Sequence, residues 1–211
     1  MKLIVLGSGT STGVPRVGND WGDCDPDEPK NRRSRVSIAI ESNDGMRILV
    51  DTSTDLRQQL LDNNIDRLDG VFWTHDHADH CHGIDDLRQV YQKTREAVPA
   101  YGRPDTIESL KQRFAYAFSG HEYYPSICAD KLLETRTEIG DITVKSVDMP
   151  HGGVTSAGLR FEHEEKTISY ATDFGEVTDH MINMFESSDI FVVDALREQP
   201  HPTHAHLSMT L

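Results

Sequence analysis

The stretch VFWTHDHADHCHGIDDLRQV, Val71 to Val90, packs four histidines and two aspartates into the eight residues from His75 to His82. Imidazoles and carboxylates crowded together lose hydration and repel like neighbours, so the crowding needs a compensating partner. A bound cation is the usual one. The apolar run before His75 reads as a buried strand and the pattern after Gly83 as a helix, so the cluster sits at a strand end. Such an end aims side chains into one cleft while the following turn redirects the next pair. His75 and His77 can then hold one metal, and Asp79 and His80 a second close by. Nitrogen and carboxylate ligands without thiolate suit Zn²⁺, Mn²⁺ or Fe²⁺. A single histidine here would read as an ordinary polar loop; the His-x-His-x-Asp-His spacing reads as a metal site.

Working outward, further ligands are expected at other strand ends. VKSVDMPHGG places His151 just after a strand, followed by glycines that allow close backbone packing. ISYATDFG places Asp173 at another strand end, where a carboxylate can bridge two cations with one oxygen on each. Alone, His151 is a loop histidine and Asp173 a helix cap; the first cluster gives both their meaning.

Strand-like and helix-like segments alternate without a long linker or repeat. Strands are expected at 2–7, 35–42, 46–51 and 68–74, and helices at 54–64, 83–96 and 106–118. AVPAYGRP reads as strand and turn, and SGHEYYPSICADKLLE as irregular. Later strands are expected at 141–149, 157–173 with a hairpin at HEEK, and 188–196. Two groups of strands with helices between them predict an α/β fold of four layers, α/β/β/α, in a single domain over residues 1–211.

Composition is that of an ordinary enzyme, 36% hydrophobic and 27% charged, and no apolar run reaches the roughly 20 residues of a membrane span. The start, MKLIVLGSGT, has too short an apolar run for a signal peptide, and Cys24, Cys81 and Cys128 imply no disulfide framework, so a reducing cytoplasmic setting is expected. The net charge of −14 should repel a long polyanion. A small anionic ligand is less affected, because a local cationic site outweighs the distant field within a Debye length of about 10 Å. The one dense basic run, KNRRSR at Lys30 to Arg35, reads equally as a solvated turn or as a segment near substrate.

The chain resembles the metallo-β-lactamase-fold hydrolases in its His-x-His-x-Asp-His motif and its later His and Asp stations. Within them it is similar to the phosphoribosyl 1,2-cyclic phosphate phosphodiesterases of phosphonate breakdown. GSGTSTGVPRVG (7–18), NRRSRVSI (31–38), VDTSTDLRQQLL (50–61), THDHADHCHGIDDLR (74–88), GLRF (158–161), ATDFG (171–175) and PHPTHAHLS (200–208) carry that likeness. The resemblance implies two divalent ions, Zn or Mn, with His75, His77 and His151 on one, Asp79 and His80 on the other, and Asp173 bridging. Asp51 would orient the site without ligating. Cations about 3.5–4 Å apart lower the pKa of a shared water and supply a hydroxide nucleophile. A leaving alkoxide needs a proton, and among His201, His204 and His206 the resemblance selects His204.

Two departures stand out. The resemblance calls for one more ligand histidine after HPTH, whereas this chain closes on HLSMTL, so the expectation is a fold truncated before its C-terminal strand and helix. Relatives with a cysteine-rich structural zinc after GVPRVG have several cysteines there; this chain has only Cys24, and no such zinc is expected. The expected partner is a small phosphodiester, not nucleic acid or membrane, and a homodimer is compatible with the sequence. The competing readings are a tRNA 3′-processing endonuclease, disfavoured by charge, and a metal-binding relative without activity. Nothing in the sequence specifically supports a lactamase or thioester hydrolase.

Overall fold

The stretch SIAIE, Ser37 to Glu41, is buried at four of its five residues because both its faces are covered. Ile38 and Ile40 point into one core and Ala39 into another, the period of two that a strand imposes. Leu49 and Val71 likewise face away from Ile48, Val50 and Phe72. The computed structural model describes all residues from Met1 to Leu211.

These strands belong to a six-stranded sheet in the order β1 (Lys2–Gly7), β2 (Ser37–Glu41), β3 (Arg47–Val50), β4 (Gly70–Phe72), β5 (Val98–Gly102) and β6 (Cys128–Leu132). The first three run antiparallel and the rest parallel. One face packs against α1 (Leu56–Asp62), α3 (Leu87–Thr94), α4 (Pro104–Arg113) and α5 (Ala115–Ser119), burying Leu56, Trp73, Leu87 and Leu110. The short α2 (Ala78–Cys81) carries the second half of the histidine motif.

The second sheet contains β7 (Arg136–Ile139), β8 (Ile142–His151), β9 (Val154–His163), β10 (Lys166–Ala171) and β11 (Ile190–Val193), ordered β11-β10-β9-β8-β7. Phe72, Val144, Leu159, Phe161 and Tyr170 fill the space between the sheets. Helix α6 (Asp179–Phe185) covers the far face through Met181 and Phe185, and α7 (Leu207–Thr210) follows at the end. The result is the expected α/β/β/α layering.

Several elements differ from the sequence reading. The segment read as irregular contains β6, whose exposed Asp130 and Lys131 hide a sheet edge. β7 and α6 were not expected; the side chain of Thr178 accepts from Met181 N at 3.3 Å, a capping signal that marks α6. The helix expected at 106–118 starts at Pro104 and breaks at Phe114, whose φ of −125° leaves the helical region. The helix expected from 83 opens with a 3₁₀ turn at Ile84–Asp86.

The carboxyl ends of β3, β4, β8, β10 and β11 converge and carry Asp51, His75, His151, Asp173 and Asp194. Carboxyl ends of like-running strands are where open α/β sheets place ligands. The loop after β3 is fastened to the motif by Thr52, whose N–H donates to His80 O at 2.8 Å and whose hydroxyl donates to Cys81 O at 3.1 Å. Gly83 lets this contact form, since a Cβ there would lie 1.9 Å from Ser53 O. Gly83→Ala should therefore cost about 1–3 kcal/mol. A thermal melt should show Tm lower by several degrees, at roughly 2–4 °C per kcal/mol for this size. An unchanged Tm would mean that the two loops are free to part.

Candidate metal centre

Three imidazoles converge on one carboxylate oxygen. Asp173 Oδ2 lies 3.3 Å from His80 Nε2, 3.5 Å from His151 Nε2 and 3.6 Å from His75 Nε2. His77 joins from the rim, its ring 4.4 Å from His75 and 5.1 Å from His151. Ligand atoms of His75, His77, His151 and Asp173 all fall within 4.8 Å of one another. Asp79 Oδ2 is 3.5 Å from His80 Nε2, so the pair expected for a second ion adjoins the same oxygen.

Each converging ring is pinned from behind. His80 Nδ1 donates to Asp51 Oδ2 at 2.7 Å. The Thr74 hydroxyl donates to the same carboxylate at 2.9 Å, so its oxygen is left to accept from His75 Nδ1 at 3.0 Å. His151 Nδ1 donates to Thr203 O at 2.8 Å. With every Nδ1 engaged, Nε2 is the nitrogen that each ring turns to the cluster, the orientation that metal ligation requires. The Nε2 atoms of His75 and His80 are buried without any hydrogen-bond partner. Buried orphan acceptors are costly in a protein interior, so this donor set fits a divalent cation.

Asp51 is fully buried, accepts from Thr74 N at 2.8 Å as well, and stands behind the ring of His80 and away from the cluster. Both Asp51 and Asp173 hold left-handed backbone, with φ of 61° and 57°. Strained backbone of this kind collects at functional sites, where the surrounding contacts hold it in place. Burial pushes the His75 imidazole down to about 2, so it stays neutral. Burial alone would lower His80 too, but the nearby Asp51 and Asp173 carboxylates hold it well above the usual imidazole range, so a cation that takes Nε2 has to displace a proton from it. Burial acts to raise Asp173, and His80, His75 and His204 together hold it below the usual carboxylate range.

The division of Asp173 differs from the sequence reading. Its Oδ1 accepts from the Thr172 hydroxyl at 2.9 Å, while Oδ2 alone faces His75, His80 and His151. A single oxygen thus faces all three rings.

Of the three late histidines, His204 lies closest to the cluster, its ring 4.8 Å from His151 and its Nδ1 4.0 Å from Asp173 Oδ1. Its Nδ1 sits 3.2 Å from Asp194 Oδ2, and that bond raises its pKa against the opposing effect of burial. His201 lines the same cleft with its ring 5.1 Å from His204, while His206 caps α7. His82, the fourth histidine of the motif, packs edge-on against Phe114 instead. Asp194, Thr74 and Thr203 were missed from sequence; Asp194 had a signal, since it ends an apolar strand as Asp51 does.

Asp51→Asn should weaken divalent metal binding about 10–100-fold, because an amide cannot accept from His80 and from both Thr74 donors together. Competition with a chromophoric chelator measures this. Equal affinities would show that His80 needs no orientation by Asp51.

Fold and site together define a domain of the metallo-β-lactamase fold whose His and Asp cluster suits a divalent cation. The chain belongs to the beta-lactamase superfamily, whose domain model, Lactamase_B_2, matches residues 46–211. It is 33% identical to an octanoyltransferase of Porphyromonas gingivalis over 100% of this chain and 42% of that protein. It is 27% identical to the exodeoxyribonuclease WalJ of Streptococcus pneumoniae over 61% of this chain and 44% of that one. Among solved structures, a new diphosphatase from the PhnP family superposes with a TM-score of 0.87 at 34% identity, covering 99% of this chain and 78% of that one. The chain spans less than half the length of the curated relatives it matches. No helix is long and apolar enough to cross a membrane.

Proposed function

We propose that this chain is a metal-dependent phosphodiesterase that hydrolyses a small cyclic phosphate, phosphoribosyl 1,2-cyclic phosphate or a similar ester, with two divalent cations, Zn²⁺ or Mn²⁺. The observation that carries the reading is the convergence of pinned imidazoles on Asp173 Oδ2 with the His204–Asp194 pair beside it. His75, His77 and His151 would hold one ion, Asp79 and His80 the other, and Asp173 both. When bound, two cations supply an acidified water and neutralise charge developing on the phosphoryl oxygens.

The protein's own groups do the rest. Asp51 and Thr74 keep His75 and His80 oriented so that no ligand has to reorganise. Asp194 engages His204 Nδ1 and leaves Nε2–H free to protonate a leaving alkoxide. The cleft, about 830 Å³, admits a sugar phosphate, within the range of small-molecule sites.

The likeness to a PhnP-family diphosphatase supports phosphoryl chemistry and favours a second reading, a diphosphate ester as substrate. Both substrates present a P–O bond whose leaving oxygen needs a charge or proton partner. The octanoyltransferase activity of the Porphyromonas protein finds no support in this site. More than half of that protein lies outside the match, so its printed activity does not carry over to this chain. The net charge of −14 argues against the polynucleotide substrates of the exodeoxyribonuclease relatives.

The test is a panel on Mn²⁺- or Zn²⁺-loaded protein. A nucleoside 2′,3′-cyclic phosphate or bis-p-nitrophenyl phosphate should exceed precursor tRNA and DNA ends at least ~10-fold in kcat/KM, with activity abolished by EDTA. Faster cleavage of the polynucleotides would reverse the assignment, and turnover of diphosphate esters alone would establish the second reading.

A further inference from the structure

His77 differs from the other imidazoles of the cluster. The rings of His75, His80 and His151 are each held through Nδ1, whereas the His77 ring makes no hydrogen bond and is exposed where His75, His151 and Asp173 are buried. No group behind the ring fixes it. Its approach to His75 and His151 therefore depends on where the backbone sets its Cα.

That backbone is gripped from helix α4. Arg113 Nη2 donates to Asp76 O at 2.5 Å, the carbonyl of the peptide that joins Asp76 to His77, and lies 3.2 Å from Asp76 Oδ2. The Ser109 hydroxyl donates to the same Oδ2 at 2.5 Å. His77 has extended backbone, φ −64° and ψ 151°, so the side chain of Asp76 turns toward α4 while its two neighbours turn into the cleft. Ser109 and Arg113 stand four residues apart and so project from one face of α4, and Ile107 and Leu110 anchor that helix in the core. On the other side of His77, His80 N donates to His77 O at 3.0 Å. The peptides before and after His77 are thus both held. Nη1 of the same guanidinium comes within 3.5 Å of His82 Nε2, so one side chain spans the motif from Asp76 to His82.

We propose that Arg113 is a positioning residue: by tying the Asp76–His77 peptide to α4, it presets His77 for the cation that His77 shares with His75 and His151. The proposal rests on the ligand assignment within the phosphodiesterase reading and is independent of the substrate. A guanidinium suits the task, because its rigid fork of donors reaches a carbonyl and a carboxylate together.

The test is a double-mutant cycle on Zn²⁺-loaded protein, read by competition against a chromophoric chelator. Arg113→Gln should weaken Zn²⁺ binding about 10-fold, the low end for groups that orient a metal ligand. Arg113→Lys keeps a donor for the Asp76 carbonyl and should lose less. Lys111→Gln breaks an exposed pair with Asp130 on the same helix and should leave the affinity unchanged. In a His77→Ala background, Arg113→Gln should bring no further loss, since a residue that acts through His77 then has nothing to position. A merely structural role would weaken binding in both backgrounds alike. An unchanged affinity in Arg113→Gln, or a loss of the same size with and without His77, overturns the proposal. Failure of the ligand assignment looks different: His77→Ala alone would leave Zn²⁺ binding intact, and the proposal would fall with it.

Discussion

Asp173→Ala is expected to strip the protein of bound metal, from about two ions per chain in the loaded wild type to well below one. Its Oδ2 is the point on which His75, His80 and His151 converge, so removing it withdraws the shared ligand from both sets at once. Asp79→Ala should instead empty mainly the second position, because Asp79 adjoins only His80. Activity in Asp173→Ala should fall on the order of 10³-fold or more, as several kcal/mol of charge stabilisation leave with the cations. Asp173→Asn supplies the control for folding, since asparagine tolerates the φ of 57° that alanine resists. Elemental analysis showing undisturbed metal in Asp173→Ala would sink the bridging role.

His204→Ala should separate two substrates by their leaving groups. A ribose alkoxide leaves poorly unless protonated, whereas p-nitrophenolate is already a stable anion. A proton donor is typically worth 10²–10⁴-fold. The variant should therefore lose activity by about that factor on a ribose cyclic phosphate and much less on bis-p-nitrophenyl phosphate, with its metal content unchanged. Equal losses on both substrates would assign His204 to positioning. A loss of metal would make it a ligand, a role that its place with Asp173 and Asp194, all within 4.8 Å of one another, puts in direct competition. His201, which lines the same cleft, is then the next donor to test by the same pair of assays.

The motif from His75 to His80 was legible in the sequence because its meaning is local: one strand end and one short helix place all four side chains. The layering was legible for a similar reason, since strands such as SIAIE carry apolar residues on both faces only when both are covered. Strand β6 was not, because its charged edge residues imitate a loop, nor β7, whose RTEI offers little apolar pattern. The support beneath the site was also hidden. Thr74 and Thr203 matter through a hydroxyl and a carbonyl that meet histidine rings only after folding, and Thr203 reaches His151 across 52 positions of sequence. The use of a single Asp173 oxygen followed from the Thr172 hydroxyl next to it, a contact that no spacing announces.

The pinned rings bear on how the protein chooses its metal. Since Asp51, Thr74 and the Thr203 carbonyl hold His80, His75 and His151 in place before any ion arrives, ions can enter and leave without the scaffold rearranging. A preset cage of imidazole and carboxylate discriminates weakly among first-row divalent ions, whose order of affinity is set by the ions themselves. Occupancy is then governed by supply. The metal recovered with a purified preparation should therefore vary with the growth medium, a dependence that elemental analysis of protein grown with different divalent ions checks.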